Sequence, residues 1–152
     1  MAFVEWNSSF SVSNEAMDAD HQGLFALINR LHQEFLEQRG RVETAATIEQ
    51  LFLHTRHHFA AEEALMQAAG YPEYPAHRQA HETIVSKLTT LANASFGLTS
   101  EVGPQLLAYL MKDWLYDHIL VMDKAYAACL LEHRSLPSPP DADAGPVAAP
   151  SE

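Results

Sequence analysis

The stretch HHFAAEE, His57–Glu63, puts two histidines, two glutamates and a phenylalanine within seven residues. His58 and Glu62 are four apart, so in a helix they share one face. His57 is rotated from His58 by about 100° and falls at the edge of that face, and Glu63 turns away in the same manner. The face is otherwise largely apolar. Ile48, Leu51, Thr55, His58, Glu62, Leu65 and Ala69 step by threes and fours, and Gly70 and Pro72 end the run. A helix that buries this stripe buries a carboxylate with it.

Working outward, three more stripes have the same period. His21, Leu24, Ile28, Leu31 and Phe35 form one, with Asp18 or Asp20 as its cap and Gly40 marking its end. After Pro75 come His77, His81, Ile84, Leu88, Leu91 and Ser95, closed by Phe96-Gly97. The last starts near Pro104, a residue suited to a first helical turn, and runs Leu107, Met111, Trp114, His118 and on toward Leu131. Nothing alternates with the period of a strand. Four helices with short connections predict an all-α, up-down-up-down antiparallel four-helix bundle over residues 18–134. Residues 1–17 read as an N-terminal arm packed on the bundle through Phe3, Val4 and Trp6. Residues 135–152 are rich in Pro and Ala, lack apolar content, and read as a disordered tail.

The polar residues sit on the wrong side. His21, His58, Glu62, His77 and His81 take core-facing positions, and no stripe carries an inward Lys or Arg. One buried histidine is ordinary, but a buried carboxylate without a positive partner is costly. A metal ion would supply the charge. Alternating helix direction brings His21 near the start of the first helix level with His58 late in the second. The same alternation brings in His77 and His81 early in the third and His118 about four turns into the fourth. Asp123 follows His118 by five residues, about 140° in a regular α-helix. Either it reaches across, or the helix carries a π-bulge near 118–123. With nine histidines in 152 residues, any single pair is unremarkable. His54 pairs with His58 at the same spacing and reads as a residue behind the site, His57 as solvated, and His32 and His133 as exposed.

Bulk properties narrow the function. A chain of 152 residues, 47% hydrophobic and 19% charged, suits one globular domain. A net charge of -11 argues against nucleic acid as a partner, since no basic stripe exists to meet phosphates. Cys129 is the sole cysteine, so no intrachain disulfide forms. The start, MAFVEWNSSF, lacks the pattern of a signal peptide, and no apolar run approaches the roughly 20 residues that span a bilayer. These features predict a cytoplasmic protein without membrane insertion.

The order His21, His58-x3-Glu62, His77-x3-His81, His118-x4-Asp123 resembles that of the hemerythrin family. So do the strings DADHQGLF, HFAAEEALM, YPEYPAHRQAH and WLYDHILVMD. The likeness covers roughly residues 3–133, fills all seven ligand positions, and is closest to the single-domain bacterial hemerythrins. It implies a non-haem di-iron site that binds dioxygen reversibly. Two six-coordinate irons offer twelve positions. Five histidines, two bridging carboxylates and an oxide or hydroxide bridge fill eleven and leave one open, as a small-ligand site requires. By the family pattern His77, His81 and His118 hold the filled iron, while His21 and His58 hold the iron with the open position. Zinc or manganese fits the same donors, so iron rests on the resemblance.

Two carboxylates against five neutral imidazoles contrast with the carboxylate-rich di-iron bundles. Less anionic charge favours the diferrous state and suits carrying oxygen over cleaving it. Leu24 and Leu115 lie three residues from ligands, and Phe59 and Ile119 directly follow ligands. They are expected to line an apolar pocket over the open position, with Leu115 first to touch a bound ligand. They also fit as plain bundle core. The function expected is oxygen storage, delivery or buffering rather than enzymatic turnover, with an oxygen-consuming protein as a candidate partner. The alternatives are a di-iron redox enzyme or an oxygen or redox sensor. An enzyme would want a proton donor near the open position, for which only Tyr116 and Tyr126 come into question. Family sensors are usually fused to signalling domains, and this chain shows none.

Overall fold

The computed structural model describes residues 2–95 and 102–135. Its helices are α1 (Glu15–Leu36), α2 (Arg41–Ala69), α3 (Tyr74–Ser95), α4 (Val102–Tyr109) and α5 (Lys124–Ser135). A π-helical segment, Leu110–Asp123, joins α4 to α5, so these three pieces make one fourth rod. No strand occurs among the described residues. α1 packs on α2, α2 on α3 and α3 on α4, and α1 meets α4 to close the ring. Residues 37–40 and 70–73 are too short to do anything but reverse the chain, which gives the antiparallel four-helix bundle. No helix among the described residues is long and apolar enough to cross a membrane.

The first helix begins earlier than the cap at Asp18 or Asp20 would have it. Asn14 caps it, accepting from Met17 N at 3.1 Å. Asp18 instead tethers the arm, accepting from Ser11 Oγ at 2.6 Å and Val12 N at 2.8 Å. The arm lies on the bundle with Val4, Phe10 and Val12 buried. The Asn29 amide grips Val4 from both sides, accepting from its N–H at 2.8 Å and donating to its carbonyl at 2.9 Å. Phe3 stacks on His32 with ring centroids 4.1 Å apart, so His32 is half-buried rather than exposed. Gly40 proves to cap the start of α2, while α1 gives way at Glu37. Gly70 ends α2 at φ +64°, with Tyr71 N reaching back to the Met66 carbonyl at 3.0 Å. Pro75 sits in the first turn of α3, where its missing N–H leaves no gap.

A large apolar core fills the bundle, with a smaller cluster of Val12, Met17 and Ala127 apart from it. The large core takes in Leu24, Ile28, Leu31, Leu51, Phe59, Ile84, Leu88, Leu110, Trp114, Leu115 and Ile119. The expected closure at Phe96-Gly97, the side chain of His133 and all of the expected tail beyond Ser135 lie outside the described residues.

Candidate metal centre

His21, His58, Glu62, His77, His81, His118 and Asp123 all lie in the bundle interior, each 2% exposed or less. α1 supplies His21, α2 His58 and Glu62, α3 His77 and His81, and the π-helical segment His118 and Asp123. The last pair shows what the π segment does. In a π turn residue i+5 bonds back to residue i, so two residues five apart lie near one face. His118 Nε2 accordingly stands 3.1 Å from Asp123 Oδ1. The irregularity spans fourteen residues, longer than a single bulge.

The donor atoms form two groups. Glu62, His77, His81, His118 and Asp123 bring ligand atoms within 4.8 Å of one another, and His21, His58 and Asp123 do the same. Asp123 belongs to both. Its Oδ1 lies 3.1 Å from His77 Nε2 and its Oδ2 3.3 Å from His21 Nε2. Glu62 also faces both ways, with Oε1 3.7 Å from His77 Nε2 and Oε2 3.6 Å from His58 Nε2 and 3.2 Å from His81 Nε2.

Outer contacts fix how the rings face. His81 donates from Nδ1 to Glu63 Oε1 at 2.8 Å, so its Nε2 lone pair points inward. There it meets His118 Nε2 at 3.0 Å. His58 donates from Nδ1 to Asp20 Oδ2 at 3.0 Å, which turns its own Nε2 inward. Burial pushes the His58 pKa down to about 4, and neighbouring His21 adds to the shift, so the ring is neutral at pH 7. Burial raises the Glu62 carboxyl, and Asp123 beside it pushes the same way. Burial alone would raise Asp123 too. The charge of His118, with the rings of His21 and His77 close by, outweighs it and holds Asp123 well below the usual carboxylate range.

The residues present fit a cation. Both oxygens of Glu62 and of Asp123 are buried with no hydrogen-bond partner, as are Nε2 of His21, His58 and His77. Each such orphan costs about 1–3 kcal/mol, more for a charged group. Among the described residues no Lys or Arg pairs with either carboxylate. Inward lone pairs facing anionic oxygens are the donor set of a transition-metal site.

Of the four expected pocket residues, Leu24, Leu115 and Ile119 are buried in the core around this centre. Phe59 stacks flat on His81, with centroids 3.7 Å apart and rings 7° from parallel, and its centroid is also 6.0 Å from that of His58. Trp114 lies beside the two-histidine group as well, its ring 6.3 Å from His21 and 6.1 Å from His58. Trp114 is core, as its stripe predicts, and it sits one turn before His118 on the same face. Glu63 and Asp20 were missed as partners of ligand rings. Tyr116 is 47% exposed and faces Phe10, away from the centre. Tyr126 is buried with its ring edge-on to His77 at 5.5 Å and its hydroxyl unpartnered. Burial, then the charges of Glu62 and Asp123, push its pKa far up, so it stays a protonated phenol. His57 is exposed.

Comparison with known proteins gives a consistent picture. A family model, the hemerythrin HHE cation binding domain, matches residues 12–130. The bacteriohemerythrin of Stenotrophomonas maltophilia is 29% identical over 136 residues, spanning 88% of this chain and 85% of that protein. The bacteriohemerythrin of Pseudomonas aeruginosa is 32% identical over 128 residues, spanning 83% and 80%. The myohemerythrin of Sipunculus nudus is 32% identical over 121 residues, spanning 80% and 88%. A crystal structure of wild-type hemerythrin superposes with a TM-score of 0.74 at 27% identity, covering 85% of this chain and 98% of the other.

Proposed function

This chain belongs to the hemerythrin family, and from that premise we propose that it binds dioxygen reversibly at a pair of non-haem irons. His77, His81 and His118 would hold one iron and His21 and His58 the other. Glu62 and Asp123, which face both histidine groups, would be shared between the two irons. The observation that carries the reading is the pair of donor groups sharing Asp123, buried in an otherwise apolar bundle. When bound, the iron pair supplies the electrons that dioxygen binding needs.

The chain's own part is to hold and to exclude. Glu63 and Asp20 accept the outer N–H of His81 and His58, which fixes the tautomers and raises ligand basicity. Trp114, Leu24, Leu115 and Ile119 keep water and protons from the position beside His21 and His58, which slows loss of the bound ligand as a reduced product. Such a protein stores, delivers or buffers oxygen without turning it over, and an oxygen-consuming protein is its natural partner.

One observation favours a second reading. Tyr126 is a protonated phenol buried edge-on to His77 and near Glu62 and Asp123, a group that a di-iron redox enzyme would use as a hydrogen-bond donor. An optical titration separates the two. The protein is reduced without air, oxygen is admitted in steps and then removed, and the cycle is repeated. Colour that appears and reverses supports the carrier. Colour that appears once and decays supports the redox enzyme, and no colour in any state overturns the di-iron assignment.

A further inference from the structure

His54 and His58 lie one turn apart on α2, and both reach the same residue of α1. His58 donates from Nδ1 to Asp20 Oδ2 at 3.0 Å, and His54 lies with Nε2 2.7 Å from the Asp20 carbonyl oxygen. A carbonyl can only accept, so His54 carries its proton on Nε2 and donates it. Three residues along α1 from Asp20 stands Gly23, a poor residue for a helix interior. Its place has a steric reason. A Cβ there would stand 2.8 Å from His54 Cε1 and 3.3 Å from His54 Nε2, closer than carbon and nitrogen pack. The ring of His54 fills the space that any other residue at 23 would need.

We infer that Asp20, Gly23 and His54 form a latch between α1 and α2 that positions His58, and so governs metal retention in the two-histidine half of the site. Asp20 touches no metal and is a positioning residue. Its carboxylate sets the His58 tautomer, and its carbonyl, gripped by His54, sets where that carboxylate stands. The latch joins α1 to α2 alone. His77, His81 and His118 come from α3 and the π segment, and one of them, His81, is braced separately by Glu63. The inference rests on the reading of His21 and His58 as ligands of one iron of the pair.

The test uses the full chain loaded with ferrous iron without air, then challenged with a chelator while iron release is followed. Two release phases are expected in the unaltered protein. Asp20→Ala should speed the faster phase by about 10–100-fold, the usual effect of losing an outer partner of a metal-bound histidine, and leave the slower phase unchanged. Asp20→Asn keeps an acceptor for His58 and should fall between. Gly23→Ala should resemble Asp20→Ala, but should add nothing in a His54→Ala background, where the ring it strikes is gone. Equal acceleration of both phases, or an equal effect of Gly23→Ala with and without His54, would overturn the latch. Nitrogen NMR of the metal-free protein gives a readout independent of iron. His58 should be protonated on Nδ1, and that preference should be lost in Asp20→Ala. A chain that takes up no iron yet shows this tautomer change would sink the di-iron reading and keep the latch. Unchanged tautomers in Asp20→Ala, in a chain that still takes up two irons, would sink the latch and keep the di-iron reading.

Discussion

Two glutamates are buried among the described residues, at opposite ends of the α1–α2 pair, and they differ in their partners. Glu34, 7% exposed, accepts from Thr47 Oγ1 at 2.8 Å and from Arg30 Nε at 3.0 Å. Glu62, fully buried, has no Lys or Arg partner among the described residues, only imidazole nitrogens, a second carboxylate and the nearby phenol of Tyr126. Glu34 shows how this sequence buries a carboxylate for structure alone, with a guanidinium from its own helix and a hydroxyl from the next. Glu62 breaks that pattern, and so does Asp123. What is missing at their end of the molecule is positive charge, which points to an ion rather than a side chain.

The sharpest way to break the comparison is to remove the shared carboxylate. Asp123→Ala should abolish binding of both irons, because Asp123 belongs to both donor groups. With the metals goes their linkage to folding, about 4 kcal/mol for a site held a thousandfold above its dissociation constant. Metal analysis and denaturation with and without iron check this. The variant keeping two irons per chain would show that the two groups are not one centre. Next in size is the apolar cover. Leu115→Ala, at a position 1% exposed, should cost about 2–5 kcal/mol and hasten loss of the oxygenated colour. A stability loss with an unchanged decay rate would make Leu115 plain core.

The convergence of the seven candidate ligand residues could be read from the sequence because it follows local geometry. His58 with Glu62 and His77 with His81 sit at helical spacing inside apolar stripes, and bundle topology then fixes their level. The five-residue step from His118 to Asp123 gave notice of π geometry for the same reason. Residues whose roles depend on contacts between helices were not legible. Glu63 turns away from the stripe, yet reaches a histidine on α3. Asp20 looked like a cap until Asn14 was seen in that role. Trp114 is core, as its stripe predicts, but its place beside His21 and His58 depends on how the rods pack. His32 appeared solvated because nothing local says that Phe3 will return to stack on it.

The polar end should also respond to pH in a way the other end does not. In the metal-free protein His58 has its pKa depressed from 6.5 to about 4, chiefly by burial. The unfolded chain therefore binds that proton first as the pH falls. Stability is complete above about pH 6.5 and drains away toward pH 4, by on the order of 3 kcal/mol from this group. Glu62, shifted upward, works in the opposite direction as it takes a proton, so the net slope is shallower. Denaturation of the metal-free protein at pH 7 and pH 5, with His58→Gln as control, reads the difference. A slope unaffected by the substitution would mean that His58 does not bear the burial cost.

The smallest effect tests the other member of the pair. Thr47→Val keeps the volume at a fully buried position and removes one of the hydrogen-bond donors to Glu34. A buried acceptor deprived of a donor costs about 1–3 kcal/mol, and Arg30, about half exposed, can recover part of it by closing further on the carboxylate. The loss should therefore sit at the low end of that range. Iron content and oxygen reversibility should not change, because Glu34 and His21 are separated by thirteen residues, about 20 Å of α1. Thermal denaturation and metal analysis of one variant decide the matter. A drop in iron content would mean that the two ends are coupled along α1 and α2, and that Glu34 contributes to the centre through the helix pair rather than serving the fold alone.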